Sequence, residues 1–208
     1  MDIIGADAAG IARVVGLLRA GEVIGFPTDT VYGLAALATN ARAVRRVFEV
    51  KGRPLDQPLV LMVAGAERLD GWAYVDERAR AYMRRWWPGP LTLVLPAREG
   101  VGPPLTSATM PRTIAARIPD HAVALALLRA AGEPLATTSA NRSGEPPALT
   151  PLESAWVEGL AAVLDGGRAP GAVPSTLLDV SREEPRILRA GPVPAEALAA
   201  WPPVSGAS

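Results

Sequence analysis

Residues 22–34 read Glu22-Val23-Ile24-Gly25-Phe26-Pro27-Thr28-Asp29-Thr30-Val31-Tyr32-Gly33-Leu34, and this stretch decides the fold class. Glu22 to Phe26 reads as a strand, and it runs straight into a loop carrying two threonines, an aspartate and a tyrosine. Polar residues placed directly after an apolar strand mark the ends of strands in open α/β sheets, where ligands bind. The same residues also suit an Asx or ST turn between strands, so the loop alone leaves binding and turn formation both open.

Working outward, helix and strand patterns interleave along the chain, with no internal repeat and no long linker. Asp7 is placed to cap a helix with Ile11, Val14, Val15 and Leu18 on one face, ended by Gly21. Asn40 is placed to cap a helix with Val44, Val47 and Phe48 inward, ended by Gly52. Asp76 starts a third helix, stopped near Trp86-Trp87 by Pro88-Gly89-Pro90. Asp120 is read as the cap of a fourth, from His121 to Ala130, ended by Gly132. Thr150-Pro151-Leu152-Glu153 is a capping box with proline at the first helical position. The runs 59–63, 91–95, 113–117, 135–138, 161–164, 176–180 and 186–188 read as further strands. The expected fold is α/β: a single twisted mixed sheet, parallel and antiparallel, of six to eight strands flanked by helices. No GxGxxG follows the first strand and no GxxxxGK[ST] occurs, so neither a dinucleotide fold nor a P-loop is supported.

Composition narrows the chemistry. The 208 residues are 49% hydrophobic and 20% charged, which excludes a disordered chain. There is no cysteine and one histidine, His121, so disulfides, thiolate metal sites and cysteine nucleophiles are excluded and a multi-histidine metal site is disfavoured. Apolar runs reach only the length of Leu59 to Ala66, far short of the roughly 18 residues a membrane span needs. Met1-Asp2-Ile3-Ile4 lacks the basic start of a signal peptide, and the expected location is the cytoplasm. Formal net charge is zero, so whole-protein attraction does not drive nucleic-acid binding. Of 21 basic residues only Lys51 is lysine; Gln57 is the sole glutamine, and Asn40 and Asn141 are the only asparagines. In a chain with 38 alanines, which suggests GC-rich codon drift, such survivors are candidates for positions where a substitute fails.

Four clusters carry candidate chemistry: the Pro27–Gly33 loop; Lys51-Gly52-Arg53-Pro54 with Gln57-Pro58; Thr137 to Gly144; and Asp165 to Gly171 followed by Pro174-Ser175-Thr176. A lysine and an arginine beside a helix end can hold phosphate, as a point charge and a planar fork, or simply favour the helix C-terminus. The Thr137 cluster reads equally as a binding loop or a capped turn, whereas the Asp165 cluster reads more as a plain flexible loop than as a loop closing over a ligand. His121 reads as a helix-start residue, Trp86-Trp87 as core, and the arginines at 42, 45, 46, 78, 80, 84 and 85 as solvated helix faces. Residues alone support a cytosolic α/β protein binding a phosphorylated small molecule.

In this order the clusters resemble the YrdC/TsaC family of threonylcarbamoyl-AMP synthases. The resemblance runs from about residue 10 to 191. It rests on Phe26 to Leu34, Lys51-Gly52-Arg53-Pro54 with Pro58-Leu59, Trp87-Pro88-Gly89-Pro90-Leu91-Thr92 and Thr113 to Pro119. It continues through Ser139-Ala140-Asn141-Arg142-Ser143-Gly144, Asp165-Gly166-Gly167, Ser175-Thr176 and Ile187 to Gly191. The resemblance implies a YrdC-like catalytic domain over residues 1–195, with a concave, positively lined cavity; the residues after about Pro194 read as a weak helix and then a Pro/Gly/Ser stretch, a weakly structured tail over 196–208. It implies a nucleotidyltransferase joining L-threonine, bicarbonate and ATP into L-threonylcarbamoyladenylate and pyrophosphate. A transferase complex then uses that product for N6-threonylcarbamoyladenosine at position 37 of tRNAs reading ANN codons. By the same resemblance, Lys51, Arg53 and Asn141 are catalytic, and Lys51, Arg53, Gln57, Thr113, Ser139, Asn141, Pro147 and Arg189 hold ATP. Thr30, Tyr32, Arg117, Thr137 and Ser175 hold threonine, with Arg117 pairing its carboxylate. Mg2+ comes with the ATP phosphates, and no metal is ligated by the protein. Some relatives carry a histidine where this chain has Met62, and longer relatives add a C-terminal domain, so a lid here has to come from loops such as 166–174. The competing readings are a module binding tRNA or double-stranded RNA, a carbamoyl-adenylate-forming domain, and a non-catalytic ligand-binding protein.

Overall fold

In a computed structural model, which describes all residues except 56, 108, 111, 142–144, 156 and 200–208, the helix starts fall where polar caps meet apolar periodicity. Asp7 accepts a hydrogen bond from the Gly10 amide (2.7 Å) to open α1 (Ala8–Arg19). Asn40 accepts from the Ala43 amide (3.1 Å) to open α2 (Ala41–Lys51), which Gly52 closes in the left-handed region at φ 65°. Asp76 accepts from the Ala79 amide (2.7 Å) to open α3 (Glu77–Trp86). The cap of α4 (Ala122–Ala131) is not Asp120: the chain stays extended through His121, which occupies the cap position without a side-chain bond. Thr150 caps α5 (Pro151–Ser154), a single turn.

These helices cover a ten-stranded sheet, two strands more than the upper expectation. The strands are β1 (Asp2–Gly5), β2 (Ile24–Phe26), β3 (Gly33–Leu37), β4 (Val60–Met62), β5 (Leu91–Pro96), β6 (Thr113–Arg117), β7 (Leu135–Ser139), β8 (Ala162–Asp165), β9 (Thr176–Asp179) and β10 (Arg186–Arg189). Their order is β1-β8-β2-β3-β7-β4-β6-β5-β9-β10. The expected mixed character holds: β4 runs parallel to β6 and antiparallel to β7, and β5 runs antiparallel to β6 and parallel to β9. The unanticipated strands are β1 and β3. Tertiary pairing recruits them, since β1 has only Ile3 and Ile4 as strand formers and β3 reads Gly-Leu-Ala-Ala-Leu.

Alternation along each strand divides the side chains between two faces. Leu34, Ala36, Leu61, Leu93, Ile114, Ala116 and Ala136 point to one face, where they pack with Val44, Val47 and Phe48 of α2 and Tyr82 of α3. Ile24, Phe26, Ala35, Met62 and Leu135 point to the other, where Val14 and Leu18 of α1 and Leu127 and Leu128 of α4 cover them. That second cover is partial. Beyond it the same sheet face carries Thr137, Ser139 and Arg117 instead of aliphatic residues, and there the cavity lies.

The weak helix expected after about Pro194 forms as α6 (Ala195–Ala199), across the expected domain end at 195; Leu198 is buried and its carbonyl accepts from the Tyr82 hydroxyl (3.3 Å). Residues 200–208, the rest of the expected tail, lie outside the described residues. No helix among the described residues is long and apolar enough to cross a membrane.

Replacing Asn40 with alanine leaves the Ala43 amide without its cap, so Asn40→Ala should lower unfolding free energy by about 1 kcal/mol. A urea titration should show the drop as a lower midpoint at unchanged slope.

Candidate active site

The loop 27–32 folds over the uncovered sheet face because Thr28 organises it. The Thr28 hydroxyl donates to the Val31 carbonyl (2.6 Å) and accepts from the amides of Thr30 and Val31 (both 3.2 Å). This is the ST turn weighed for the loop, and it also shapes a cavity wall: Thr28, Thr30, Val31, Tyr32 and Gly33 all line the cavity.

Arg117 holds the loop from below. It ends β6 at 2% exposure, and its guanidinium donates to Gly89 O (2.9 Å), Thr30 Oγ1 (3.0 Å) and Asp29 Oδ1 (2.6 Å). Burial pulls Arg117 down from its ordinary value, and the Asp29 charge and hydrogen bond oppose that. A guanidinium has five N–H donors; the three bonds named leave capacity for a carboxylate arriving from the cavity.

Two further guanidiniums enter from other elements. Arg53 follows the Gly52 turn, and its side chain ties down the next loop by donating to Gln57 O (2.9 Å) and Pro58 O (3.4 Å). Arg189, on β10, donates to Ser175 O through Nε (3.1 Å) and Nη2 (2.9 Å). Ser175 Oγ lies 2.7 Å from Thr92 Oγ1. Burial lowers Arg189 below its ordinary value, and repulsion from Arg117 and Arg53 adds to the shift. Arg189 thus feels the other two cations, and no carboxylate is among the residues lining the cavity. The cavity encloses about 550 Å³ including its open mouth, a size typical of small-molecule sites. Its floor of Thr30, Thr92, Thr137, Ser139 and Ser175 hydroxyls under three guanidiniums suits an anion with several oxygens.

Lys51 lies behind this wall rather than in it. At the end of α2 it is buried, and its ammonium donates to Ser139 O (2.5 Å), Ser139 Oγ (3.2 Å) and Asn141 Oδ1 (2.7 Å). Burial first, and Arg53 second, bring it from 10.5 down to about 8. Asn141 in turn donates to Glu145 O (2.6 Å), and Ser139 Oγ donates to Asn141 Oδ1 (2.7 Å). The sole lysine and one of two asparagines therefore form one buried network.

Of the anticipated site residues, Thr30, Tyr32, Arg53, Arg117, Thr137, Ser139, Ser175 and Arg189 meet around the cavity, and Lys51 and Asn141 support it from behind. Gln57, Thr113 and Pro147 are not among the lining residues. Gln57 is exposed, Pro147 sits half-buried in a loop, and Thr113 Oγ1 donates to Met110 O (2.6 Å). Residues 142–144 of the third cluster lie outside the described residues. Thr92 and Thr138 line the cavity without having been singled out as ligands; the signal for Thr92 was a hydroxyl inside the otherwise apolar run Leu91 to Leu95. Met62 also lines it. Among the described residues no group of three or more His, Cys, Asp or Glu side chains could hold a metal ion.

The mixed α/β sheet thus carries, on its half-covered face, an arginine-lined cavity whose chemistry suits an oxyanion. Residues 16–191 match the Sua5/YciO/YrdC family model, whose description is "Telomere recombination", and the chain belongs to that family. It is 42% identical over 193 residues to the threonylcarbamoyl-AMP synthase of Bacillus subtilis (strain 168), covering 91% of this chain and 56% of that protein. It is 40% identical over 189 residues to that of Pyrococcus abyssi (strain GE5 / Orsay), covering 89% and 55%. The crystal structure of P. abyssi Sua5 complexed with L-threonine shares 38% identity and a TM-score of 0.90, over 95% of this chain and 60% of that one. The chain thus spans a little over half the length of these curated relatives.

The Arg117–Asp29 pair predicts a stability effect. Asp29→Ala leaves a buried guanidinium uncompensated and should cost about 3–5 kcal/mol. Asp29→Asn, which keeps an acceptor, should cost less. Urea unfolding of the two variants checks the order.

Proposed function

We propose that this chain is an L-threonylcarbamoyladenylate synthase, forming L-threonylcarbamoyl-AMP and pyrophosphate from L-threonine, bicarbonate and ATP. The observation that carries this reading is the convergence of Arg53, Arg117 and Arg189 over a hydroxyl-lined floor. The names of relatives about 40% identical, and a neighbour complexed with L-threonine, support it.

The chemistry asks for positioning more than for a nucleophilic side chain. Threonine's amine adds to bicarbonate-derived carbon with loss of water, giving a carbamate. A carbamate oxygen then attacks the α-phosphorus of ATP, and the bond to the β-phosphate oxygen breaks to release pyrophosphate. Arg117 takes the threonine carboxylate: it lines the cavity, is held in place by Gly89, Thr30 and Asp29, and keeps N–H donors beyond those three bonds. The hydroxyls of Thr30, Thr137 and Ser175 orient the amino acid. Arg53 and Arg189, with Lys51 and Asn141 behind Ser139, offset charge on the phosphates, an electrostatic contribution that needs no proton transfer at the moment of reaction. The cavity offers guanidiniums and hydroxyls but no carboxylates for a metal cage, so Mg2+ fits here as a companion of the ATP phosphates, where it would neutralise part of their charge. Downstream, the adenylate would serve a transferase that modifies adenosine 37 of tRNAs reading ANN codons.

Pyrophosphate release from purified protein with Mg2+-ATP, L-threonine and bicarbonate should require all three. Release without threonine, or with carbamoyl phosphate replacing it and bicarbonate, would replace this reading with carbamoyl-adenylate formation. Lys51→Ala and Arg53→Ala should each keep the wild-type circular dichroism spectrum and lose about 100-fold or more in turnover.

The Lys51 value adds a pH signature. Because its folded value is depressed, the charge that assists phosphate binding is full below about 8 and is lost as pH rises through it. The KM for ATP should therefore rise above pH 8, and Lys51→Ala, which has no group to titrate there, should lack that inflection. The stability effect runs oppositely: between about 8 and 10.5 the unfolded chain holds the extra proton, so stability gains with pH there.

A further inference from the structure

Tyr32 was expected among the threonine ligands, yet its hydroxyl is already committed to another segment. Tyr32 is fully buried; its hydroxyl donates to Gly167 O (2.7 Å) and accepts from the Gly166 amide (3.2 Å). Burial pushes the phenol up to about 12, so it stays protonated and can do both.

Gly166 and Gly167 begin residues 166–175, the connection from β8 to β9. In the sheet order six strands lie between β8 and β9. Laid along a flat sheet, the seven strand spacings amount to about 34 Å, and eleven residue steps reach at most about 40 Å. The segment is long enough to span the sheet and runs over the face that carries the cavity. Its seats confirm that path. A Cβ on Gly166 would come within 2.5 Å of Pro27 Cγ, and one on Gly171 within 2.4 Å of Thr30 O. The Ala169 amide donates to Leu149 O (2.8 Å). The far end delivers Pro174 and Ser175 into the cavity wall.

We infer that residues 166–175 form a fixed strap that sets the ceiling of the amino-acid end of the cavity, and that Tyr32 is a positioning residue acting through this strap. The strap presses on Thr30 through Gly171 and supplies Ser175, so its height limits the amino-acid side chain that fits beneath. Of the strap, Pro174 and Ser175 line the cavity. This inference rests on the synthase reading for its substrate and on geometry alone for the strap.

Tyr32→Phe deletes both hydrogen bonds and keeps the buried ring. In pyrophosphate-release assays the KM for threonine should rise about tenfold, with the KM for ATP within about twofold of wild type. Amino acids longer than threonine should gain relative to it, and hydrogen exchange should accelerate at the amides of 166–175. Gly171→Ala, which forces the strap off Thr30 while leaving Tyr32 intact, should reproduce the threonine-specific rise. A raised threonine KM with unchanged strap exchange would make Tyr32 a direct ligand and overturn the inference. So would equal changes in both KM values, or an unchanged threonine KM. Absence of threonine-dependent release in the wild type would overturn the synthase reading instead, and strap exchange in Tyr32→Phe would still report on the latch.

Discussion

The buried guanidinium of Arg117 is the constraint on which the rest of the site depends. An unpaired charge at that depth would be costly, and the protein answers with three acceptors from two separate segments: Asp29 and Thr30 from the loop after β2, and the Gly89 carbonyl from the turn before β5. Satisfying one charge therefore fixes the loop over the sheet and the entry of β5. Thr92 and, across from it, Ser175 follow from that placement. The cavity is preorganised because its central cation could not be buried otherwise.

A second polar network does comparable work at the other end. Lys51 joins the C-terminus of α2 to the end of β7 through Ser139 and Asn141. A lysine here has three donors for three acceptors, and arginine, planar and longer, would not fit the same points. That gives a physical reason for the single lysine in a chain whose other twenty basic residues are arginine.

Much of this was legible in the chain. Caps at Asp7, Asn40 and Asp76 could be read because each is a local rule: a short polar side chain before an apolar helical period. Asp120 misled because the same rule cannot see whether one more residue stays extended before the turn begins. Strands β1 and β3 were invisible for a different reason, since their stability comes from partners distant in sequence. The site was legible as residue types but not as roles. Family likeness put Tyr32 among the ligands, whereas its hydroxyl turns to Gly166 and Gly167 some 134 residues away. Likewise Asp29 could be seen as a carboxylate in a binding loop, but its pairing with Arg117, 88 residues on, is a property of the sheet.

The last strand carries a consequence of another kind. A chain with zero net charge has little colloidal repulsion to keep copies apart, so an open sheet margin is a hazard. β10 is such a margin, and it is blunted twice: its pairing with β9 slips between Ile187 and Arg189, and arginines stand at both of its ends. The slip breaks the regular row of amides and carbonyls that another copy would need as a template. Arg189 thus faces two ways, bonding Ser175 at the cavity wall and standing as a charged end of that irregular margin.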